Sequence, residues 1–429
     1  MWLVAPVSLI LVAVLAYGLY HGVDAFLTAE NPGKKPISGQ DNVKTTVTAL
    51  TLVGAVLAGL YAYRKQLLDE GASHRADAMQ LAERYTKAAE QLGHDQAAVR
   101  LAGVYAMARL ADDWQEQRQV CINVLCAYLR MPYVSSADEE GYMKGEREVR
   151  LAIIRTTRDH LQDPTAPATW CGYDLDFTGA VLDGGDFSLA KFIGGRVDFS
   201  LATFIGGRVD FSRAEFTDGV VSFGRAEFTG GNVDFSSAKF VGGLVDFTLA
   251  KFTGGRVDFS LAKLSGGGVA FVRTRHTGGR ISFSHAQITH GTVGFISAEL
   301  NGGTVTFDGA RLSGGTVNFF GAMVTDGLVN FENAAISEGV LKFDDALISD
   351  GTVSFLGATI SGGRVTFEDA ELVGGRLDFE GALLTGGRVT FAGATFSSPG
   401  TTIGSSNIIV SADCSIEWGP LPTMPVNQP

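Results

Sequence analysis

The chain has 429 residues, enough for two or three domains of ordinary size, and is rich in glycine and phenylalanine. Its 28 phenylalanines exclude a disordered glycine-rich chain, because such segments are depleted in aromatic residues. A formal net charge of −12 disfavours a general nucleic-acid binder, which needs an excess of Lys and Arg facing the phosphates. Four scattered cysteines do not make a disulfide scaffold, so we expect reduced thiols at Cys121, Cys126, Cys171 and Cys414.

Two apolar stretches without charged side chains open the chain, at residues 2–20 and 45–63. As a helix, each stretch would cover roughly 28 Å, about the thickness of the hydrocarbon core of a bilayer. The first stretch lacks the basic flank and the small-residue cleavage site of a signal peptide, and a polar loop at residues 31–36 separates it from the second. We therefore predict a two-span transmembrane hairpin over residues 1–63, in contact with the lipid bilayer.

The basic residues beside these spans set the expected orientation. Four of them follow the second span and three lie in or beside the loop: Arg64, Lys65, Arg75 and Arg84, against Lys34, Lys35 and Lys44. The positive-inside rule then places the C-terminal part on the cytoplasmic side. We expect a multi-pass protein of the inner or plasma membrane, and the opposite orientation, with the C-terminal part exposed outside, is the alternative.

Residues 64–164 predict a helical neck. Apolar side chains such as Leu81, Tyr85 and Leu92 recur at three- and four-residue spacing, which is typical of one face of a helix, and Pro132 and Pro164 end the last two of four short helices. We interpret this neck as a spacer that also covers the first turn of the following domain. A dedicated partner-binding surface is the alternative.

A twelve-residue period then governs the chain. Phe occupies position 187 and each twelfth position through Phe391, Ala follows three residues later except at Thr274, and Gly recurs with the same period. The unit reads Ala-x-Phe-x-Gly-Gly-x-Val-x-Phe-x-x, so the apolar pairs face one side of extended strands and the glycines permit a corner. Such a pattern predicts a β-solenoid over residues 165–399, in which each coil packs against its neighbours.

The recurring Phe and Ala side chains are the predicted structural core. They are Phe187, Phe199, Phe211, Phe223, Phe235, Phe247, Phe259, Ala190, Ala202 and Ala214.

The first repeat unit is shorter than the others. It reads Ala180-Val-Leu182-Asp-Gly and then Gly185-Asp-Phe187-Ser-Leu, two pentapeptides of the form A-x-(L/F)-x-x. Together with the sequence Glu-Arg-Tyr-Thr-Lys-Ala-Ala-Glu-Gln-Leu-Gly at residues 83–93, this resembles the bacterial pentapeptide-repeat proteins that carry two N-terminal membrane spans. The resemblance implies a right-handed quadrilateral parallel β-helix whose central Phe or Leu and preceding Ala fill the interior. The period of twelve departs from the family's ten.

One coil could contain twelve or twenty-four residues. A closed ring of twelve extended residues would have sides of only about 10 Å, and two Phe, a Val and an Ala would overcrowd it. In a coil twice as long, each of four faces contributes one large and one small inward side chain. We therefore expect twenty-four residues per coil and nine coils, rising about 43 Å. Residues 400–429 are expected to cap the last coil and to end in a tail.

Two features of the repeat are candidate sites. Charged residues recur at outward positions and form a candidate interaction face: Asp198, Asp210, Asp234, Asp246, Asp258, Arg196, Arg208 and Arg256. The simpler interpretation is a solvent-exposed face on which opposite charges offset one another. Both interpretations assume that these residues recur on one face of the solenoid. His276 occupies an inward position, where we expect a tolerated lesion or a hydrogen-bonded core histidine rather than a metal site.

The sequence contains no calcium-binding repeat, phosphate loop, paired-cysteine motif or nucleophile elbow. We therefore expect a non-enzymatic, membrane-anchored scaffold that presents the solenoid surface to a protein partner, with no cofactor, no metal and no nucleic acid. The alternative is a DNA-mimicking regulator of a DNA-binding enzyme such as a type II topoisomerase, as known for some pentapeptide-repeat proteins.

Overall fold

The computed structural model describes residues 4–29, 39–397, 402–404, 407–411 and 413–417. The chain divides into two compact units, residues 1–83 and 84–429. The helices are α1 (Val4–Ala29), α2 (Gly39–Leu92), α3 (Ala97–Asp113), α4 (Arg118–Arg130) and α5 (Glu146–His160), with a 3₁₀ turn at Gln115–Gln117.

The first unit contains α1 and the larger part of α2. Apolar side chains of this part of α2, such as Leu52 and Leu57, are exposed. Among the described residues, one segment, Gly39–Leu68, is long and apolar enough to cross a membrane. Of the two predicted transmembrane spans, the described residues therefore support one, the second. The start of the first predicted span and the predicted loop at residues 31–36 lie outside the described residues.

In the second unit, the neck helices bury their apolar faces against one another. Leu110 of α3, Ile122 and Leu125 of α4 and Ile153 of α5 are fully buried. Helix α2 is continuous through residue 64, so the predicted boundary between the spans and the neck is not a break in secondary structure.

The strands of the solenoid belong to two sheets. Sheet A consists of β1 (Leu175–Asp176), β3 (Lys191–Phe192), β4 (Arg196–Asp198), β6 (Glu215–Phe216), β7 (Val220–Ser222), β10 (Lys239–Phe240), β11 (Leu244–Asp246), β14 (Lys263–Leu264), β15 (Gly268–Ala270), β18 (Gln287–Ile288), β19 (Thr292–Gly294), β22 (Arg311–Leu312), β23 (Thr316–Asn318), β26 (Ala335–Ile336), β27 (Val340–Lys342), β30 (Thr359–Thr366), β33 (Leu383–Thr390), β36 (Ile409–Val410) and β37 (Ser415–Glu417). Sheet B consists of β2 (Val181–Asp186), β5 (Thr203–Asp210), β8 (Glu227–Phe228), β9 (Asn232–Asp234), β12 (Lys251–Phe252), β13 (Arg256–Asp258), β16 (Arg275–His276), β17 (Arg280–Ser282), β20 (Glu299–Leu300), β21 (Thr304–Thr306), β24 (Met323–Val324), β25 (Leu328–Asn330), β28 (Leu347–Ser349), β29 (Thr352–Ser354), β31 (Glu371–Val373), β32 (Arg376–Asp378), β34 (Thr395–Ser397) and β35 (Thr402–Gly404).

These strands form a parallel β-solenoid of about ten turns. The register fixes the length of a coil, because Lys239 pairs with Lys263 and Val245 pairs with Val269, twenty-four positions further along the chain. The predicted length of the coil, twice the sequence period, is therefore confirmed. Consecutive twelve-residue units alternate between sheet A and sheet B.

The ends of the solenoid deviate from this register. In the first coil Leu175 pairs with Val197, 22 positions on, since the first repeat unit is two residues short. Beyond the predicted end at residue 399, β35 pairs with β32 and β37 pairs with β33, so the ladder continues to Glu417. A parallel ladder needs only backbone hydrogen bonds and an apolar inward residue, which Ile403 and Ile416 supply. Residues 418–429, the predicted tail, lie outside the described residues.

Aromatic rings fill the interior. Phe187, Phe223 and Phe259 are at most 1% exposed, and Ala190, Ala202 and Ala214 are fully buried, like the other predicted core residues. The Phe259 ring stacks on Phe235 and Phe283, one coil away on either side, at centroid distances of 4.7 and 4.6 Å. Two parallel stacks thus run along the solenoid and meet edge to face, which is a favoured arrangement of aromatic pairs.

The chain turns the corners of the solenoid with two different backbone conformations. A turn joins each core Phe to the residue three positions on, which is Ala except at Thr274. Its third residue is left-handed even where it is not glycine, as at Leu201 (φ 60°) and Arg273 (φ 52°). The predicted Gly-Gly corner also has a left-handed residue at Gly207 (φ 64°). At Gly267, however, glycine is needed for close approach, because a Cβ would lie 2.4 Å from the Gly243 carbonyl oxygen of the previous coil.

Candidate functional site

The structure divides the predicted ladder of aspartates between the two sheets. Asp198 and Asp246 end strands of sheet A, whereas Asp210, Asp234 and Asp258 end strands of sheet B. Twelve residues are half a coil, so side chains twelve positions apart belong to different sheets. The expectation that these residues recur on one face is therefore wrong.

Each of these aspartates caps the turn that follows it. The Asp198 carboxylate accepts a hydrogen bond from the Ser200 backbone N–H at 2.8 Å, and Asp210 accepts the equivalent bond from Ser212 at 2.8 Å. An aspartate that bonds the backbone two residues on stabilises a tight turn. This role explains why the position recurs as Asp, Ser, Asn or Thr along much of the solenoid.

The arginines of the candidate face pair with the carboxylates of Asp198, Asp210, Asp234 and Asp258. Arg196 lies 2.6 Å from Asp198, and Arg256 lies 2.7 Å from Asp258. Arg208 reaches Asp234 on the next coil at 2.6 Å.

Their electrostatic effect is clearest at Asp198. Burial alone would raise the pKa of Asp198, but hydrogen bonds from Ser200 and Arg196 outweigh it and lower that pKa. The Asp198 carboxylate is therefore ionised and satisfied by groups within the fold rather than free.

The two exceptions to the repeat, Thr274 and His276, bind each other. The Thr274 hydroxyl donates a hydrogen bond to the Phe271 carbonyl at 3.1 Å and lies 2.9 Å from Nε2 of His276. Because the hydroxyl hydrogen is already used, Nε2 of His276 donates the second hydrogen bond to the Thr274 oxygen. The His276 ring stacks on Phe252 at 4.5 Å, and burial lowers the pKa of His276 to about 3. The predicted hydrogen-bonded core histidine is confirmed, and it is neutral at physiological pH.

A buried ionic cluster fastens the neck to the first coil. Glu146 of α5 lies 3.2 Å from the guanidinium of Arg100 and accepts a hydrogen bond from the Tyr128 hydroxyl at 2.8 Å. The neighbouring Arg150 donates to the Val181 carbonyl of β2 at 3.2 Å. Buried charges require such pairing, so we interpret this cluster as structural. Through it the neck helices pack on the first coil and cover it.

Burial suppresses the reactivity of two of the four cysteines. Cys121 and Cys126 are buried between the neck helices, and burial raises the pKa of Cys121 to about 11 and that of Cys126 to about 12. Both thiols stay protonated and are poor nucleophiles. Over residues 4–29, 39–397 and the short strands beyond, no group of three or more His, Cys, Asp or Glu could hold a metal ion.

A line of outward residues that the twelve-residue pattern does not reveal lies on the edge where sheet A turns into sheet B. We call it the edge strip: Thr248 and Leu249, Val272 and Arg273, Ile296 and Ser297, Phe320 and Gly321, Asp344 and Asp345, Glu368 and Asp369. Successive turns are joined by hydrogen bonds, such as Arg273 N–H to the Ile296 carbonyl at 2.9 Å and Asp345 N–H to the Glu368 carbonyl at 2.9 Å. Writing the sequence in rows of one coil each would align these residues in one column.

The edge strip changes character along its length. The strip begins with Thr248 and Leu249 and is basic at Arg273. The middle is apolar at Ile296 and Phe320, which is 44% exposed, and the other end is acidic. Exposed aromatic side chains in line with unlike charges are typical of interaction surfaces. No family model matches the chain, and no curated protein and no solved structure matches it either.

Proposed function

We propose that this protein is a non-enzymatic scaffold, anchored in a membrane by its N-terminal helices, that presents the solenoid surface to a protein partner. The observation that carries the proposal is the contrast between inward and outward positions. Inward positions repeat Phe, Ala and Val coil after coil. Outward positions vary, as where Arg275 of β16 is followed by Glu299 and then by Met323 on the next coils.

This contrast favours a binding function because the inward residues stabilise the fold, whereas the outward residues are not needed for that. In solenoids each coil packs only against its neighbours, so a constant interior holds the fold while the outer surface remains free to specify a partner. The turn-capping aspartates and the buried His276 are used within the fold, which leaves the varied outward side chains for recognition.

The membrane anchor rests on α2 and α1. The segment Gly39–Leu68 has the length and hydropathy of a span, and its apolar side chains are exposed in the folded unit. We propose that α1 (Val4–Ala29) forms the second span of a hairpin and that the solenoid lies on the cytoplasmic side of a bacterial inner membrane. Resistance of the full chain to alkaline extraction of membranes tests the anchor, and protease accessibility in intact cells tests the side.

The long coil and the Ala-x-Phe pattern support a place among the pentapeptide-repeat proteins. We propose that the solenoid is a right-handed quadrilateral β-helix of that family, with two residues added at each Gly corner. The left-handed turn residues between core Phe and Ala supply the sharp corners that four short faces require.

The scaffold proposal is tested by site-specific photo-crosslinking of the full chain in native membranes. A photoreactive residue replaces outward Lys239, and the matched control replaces the adjacent inward Phe240. We expect adducts with a second protein from outward positions and none from Phe240. A survey of outward positions over all coils that yields no adduct, or adducts only with the same chain, would contradict the proposal.

The DNA-mimic alternative has weaker support. Between residues 174 and 396 there are 25 Asp and Glu against 17 Lys and Arg, a net charge of 17 − 25 = −8. The carboxylates of Asp198, Asp210, Asp234 and Asp258 lie within ion-pair distance of arginines, which interrupts a continuous negative field. Inhibition of DNA supercoiling by a type II topoisomerase in the presence of the full chain would favour the alternative, and no effect would remove it.

A further inference from the structure

We propose that the edge strip binds the edge strip of a second copy of this chain in antiparallel orientation. This interaction goes beyond the scaffold function and does not depend on it. It follows from the order of side-chain types along the strip, which is first basic, then apolar and then acidic.

The charged side chains at the ends of the strip are available for a partner. Among the described residues, Arg273 near one end and Asp344, Asp345, Glu368 and Asp369 at the other take part in no ion pair, and the Asp344 carboxylate accepts a hydrogen bond from the Glu368 N–H at 3.2 Å. Several charges elsewhere on the solenoid are matched internally, as Arg208 is with Asp234 at 2.6 Å. Arg273, Asp345, Glu368 and Asp369 are exposed.

The middle of the strip is apolar. Val272, Ile296 and Phe320 occupy the same turn position on three successive coils, and Met323, beside Phe320, is 42% exposed. The equivalent position on earlier coils is small or polar, as at Ser200 and Thr248. An apolar centre with charged ends is the composition expected of a small protein interface.

A two-fold axis makes this order self-complementary. With the axis between the Ile296 and Phe320 turns, Ile296 of one chain faces Phe320 of the other, and Arg273 faces Asp344 and Asp345. The turn of Thr248 and Leu249 then faces Glu368 and Asp369. Lys251, beside this turn, adds positive charge there, although it pairs with Glu227 of its own chain at 2.8 Å. In an isologous interface each contact occurs twice, so both ends are satisfied at once.

The parallel arrangement is excluded by the same charges. Two strips aligned in parallel would set Arg273 against Arg273 and Asp345 against Asp345, and like charges facing each other are unfavourable. The strip therefore selects an antiparallel partner.

The size of the strip predicts a weak dimer. Rings on successive coils are 4.8 Å apart at Phe295 and Phe319, so the five steps from Thr248 to Glu368 span about 24 Å. A contact of that length on one edge buries less than the roughly 800 Å² per partner of stable complexes. Association should accordingly depend on protein concentration and weaken at high salt.

The test uses the full chain in detergent and two charge-reversal variants. The acidic-end variant carries Asp345→Arg and Asp369→Arg, and the basic-end variant carries Arg273→Asp. Each substitution places a residue type that the repeat already has at the equivalent turn position, as Arg225 and Asp345 show. The control carries Glu332→Arg and Glu380→Arg, an equal change of charge at the other set of turns.

Sedimentation velocity over a range of protein concentrations gives the dissociation constant. We expect the unmodified chain and the control to dimerise, and each charge-reversal variant to dissociate on the order of tenfold more readily or worse. Mixing the two variants should restore a heterodimer, which misfolded variants could not form. A chain that stays monomeric at every concentration, or variants that dimerise as well as the unmodified chain, would overturn the proposal.

Discussion

Replacing Phe259 by alanine perturbs the aromatic interior at its centre. The Phe259 side chain is fully buried between Phe235 and Phe283, and it meets Phe247 and Phe271 edge to face at 6.3 and 6.2 Å. The buried surface of a Phe stabilises the fold by about 2–3 kcal/mol. Lost ring pairs and the cavity left in a close-packed interior bring the expected cost to roughly 3–5 kcal/mol.

The cost should be local as well as large. Because each coil contacts only its neighbours, the loss weakens the coils around Phe259 more than the neck or the last coils. Equilibrium unfolding in urea measures the total cost, and hydrogen exchange of the backbone amides shows where protection is lost. Both measurements use the full chain in detergent.

The matched control is Leu261→Ala, in the same turn. Leu261 is 56% exposed, so removing most of its side chain should change the free energy of unfolding by no more than about 0.5 kcal/mol. If Phe259→Ala unfolds like the unmodified chain, or if the two variants are equally destabilised, the ring stack is not what holds the coils together.

Three further substitutions test other parts of the fold. Burial lowers the pKa of His276 to about 3, so the unfolded chain, in which a histidine titrates near about 6.5, takes up a proton that the folded chain does not. Stability is therefore lost as the pH falls below about 6.5, by up to about 1.4 kcal/mol per pH unit, and His276→Leu should remove this contribution to the slope in urea unfolding at different pH values. Leu201→Gly relieves a left-handed, exposed leucine and should stabilise the chain by up to about 1 kcal/mol, visible as a higher melting temperature. Gly267→Val forces a side chain against the Gly243 carbonyl and should cost more than about 1–3 kcal/mol; an unchanged melting temperature would refute the close approach.

The inward half of the fold is predictable from the sequence because packing repeats. Phe, Ala and Val recur at fixed intervals, and the volume of their side chains alone decides whether a coil contains one twelve-residue unit or two. The neck is predictable for the same reason, since its apolar faces have the period of a helix. Its role as a cover for the first coil is seen in Arg150, which bonds the Val181 carbonyl at 3.2 Å.

The outer surface is less predictable from the sequence because it depends on which residues lie next to each other on successive coils. A twelve-residue period hides the fact that Asp198 and Asp210 lie on different sheets. It also hides the left-handed turn residues, since Leu201 and Arg273 carry no glycine signal for a positive φ. The edge strip becomes visible only once residues two repeat units apart are known to be neighbours, as Val272 and Ile296 are.

The pairing of every second repeat unit, on which both proposals depend, is tested most directly by disulfide formation between introduced cysteines. Lys239 and Lys263 pair in adjacent strands of sheet A and are both exposed, whereas Lys251 lies in sheet B. Adjacent paired positions are within the Cα separation that a disulfide spans. Under mild oxidation the Lys239→Cys, Lys263→Cys variant should cross-link within one chain, and the Lys239→Cys, Lys251→Cys variant should not; the reverse result would contradict this account of the fold.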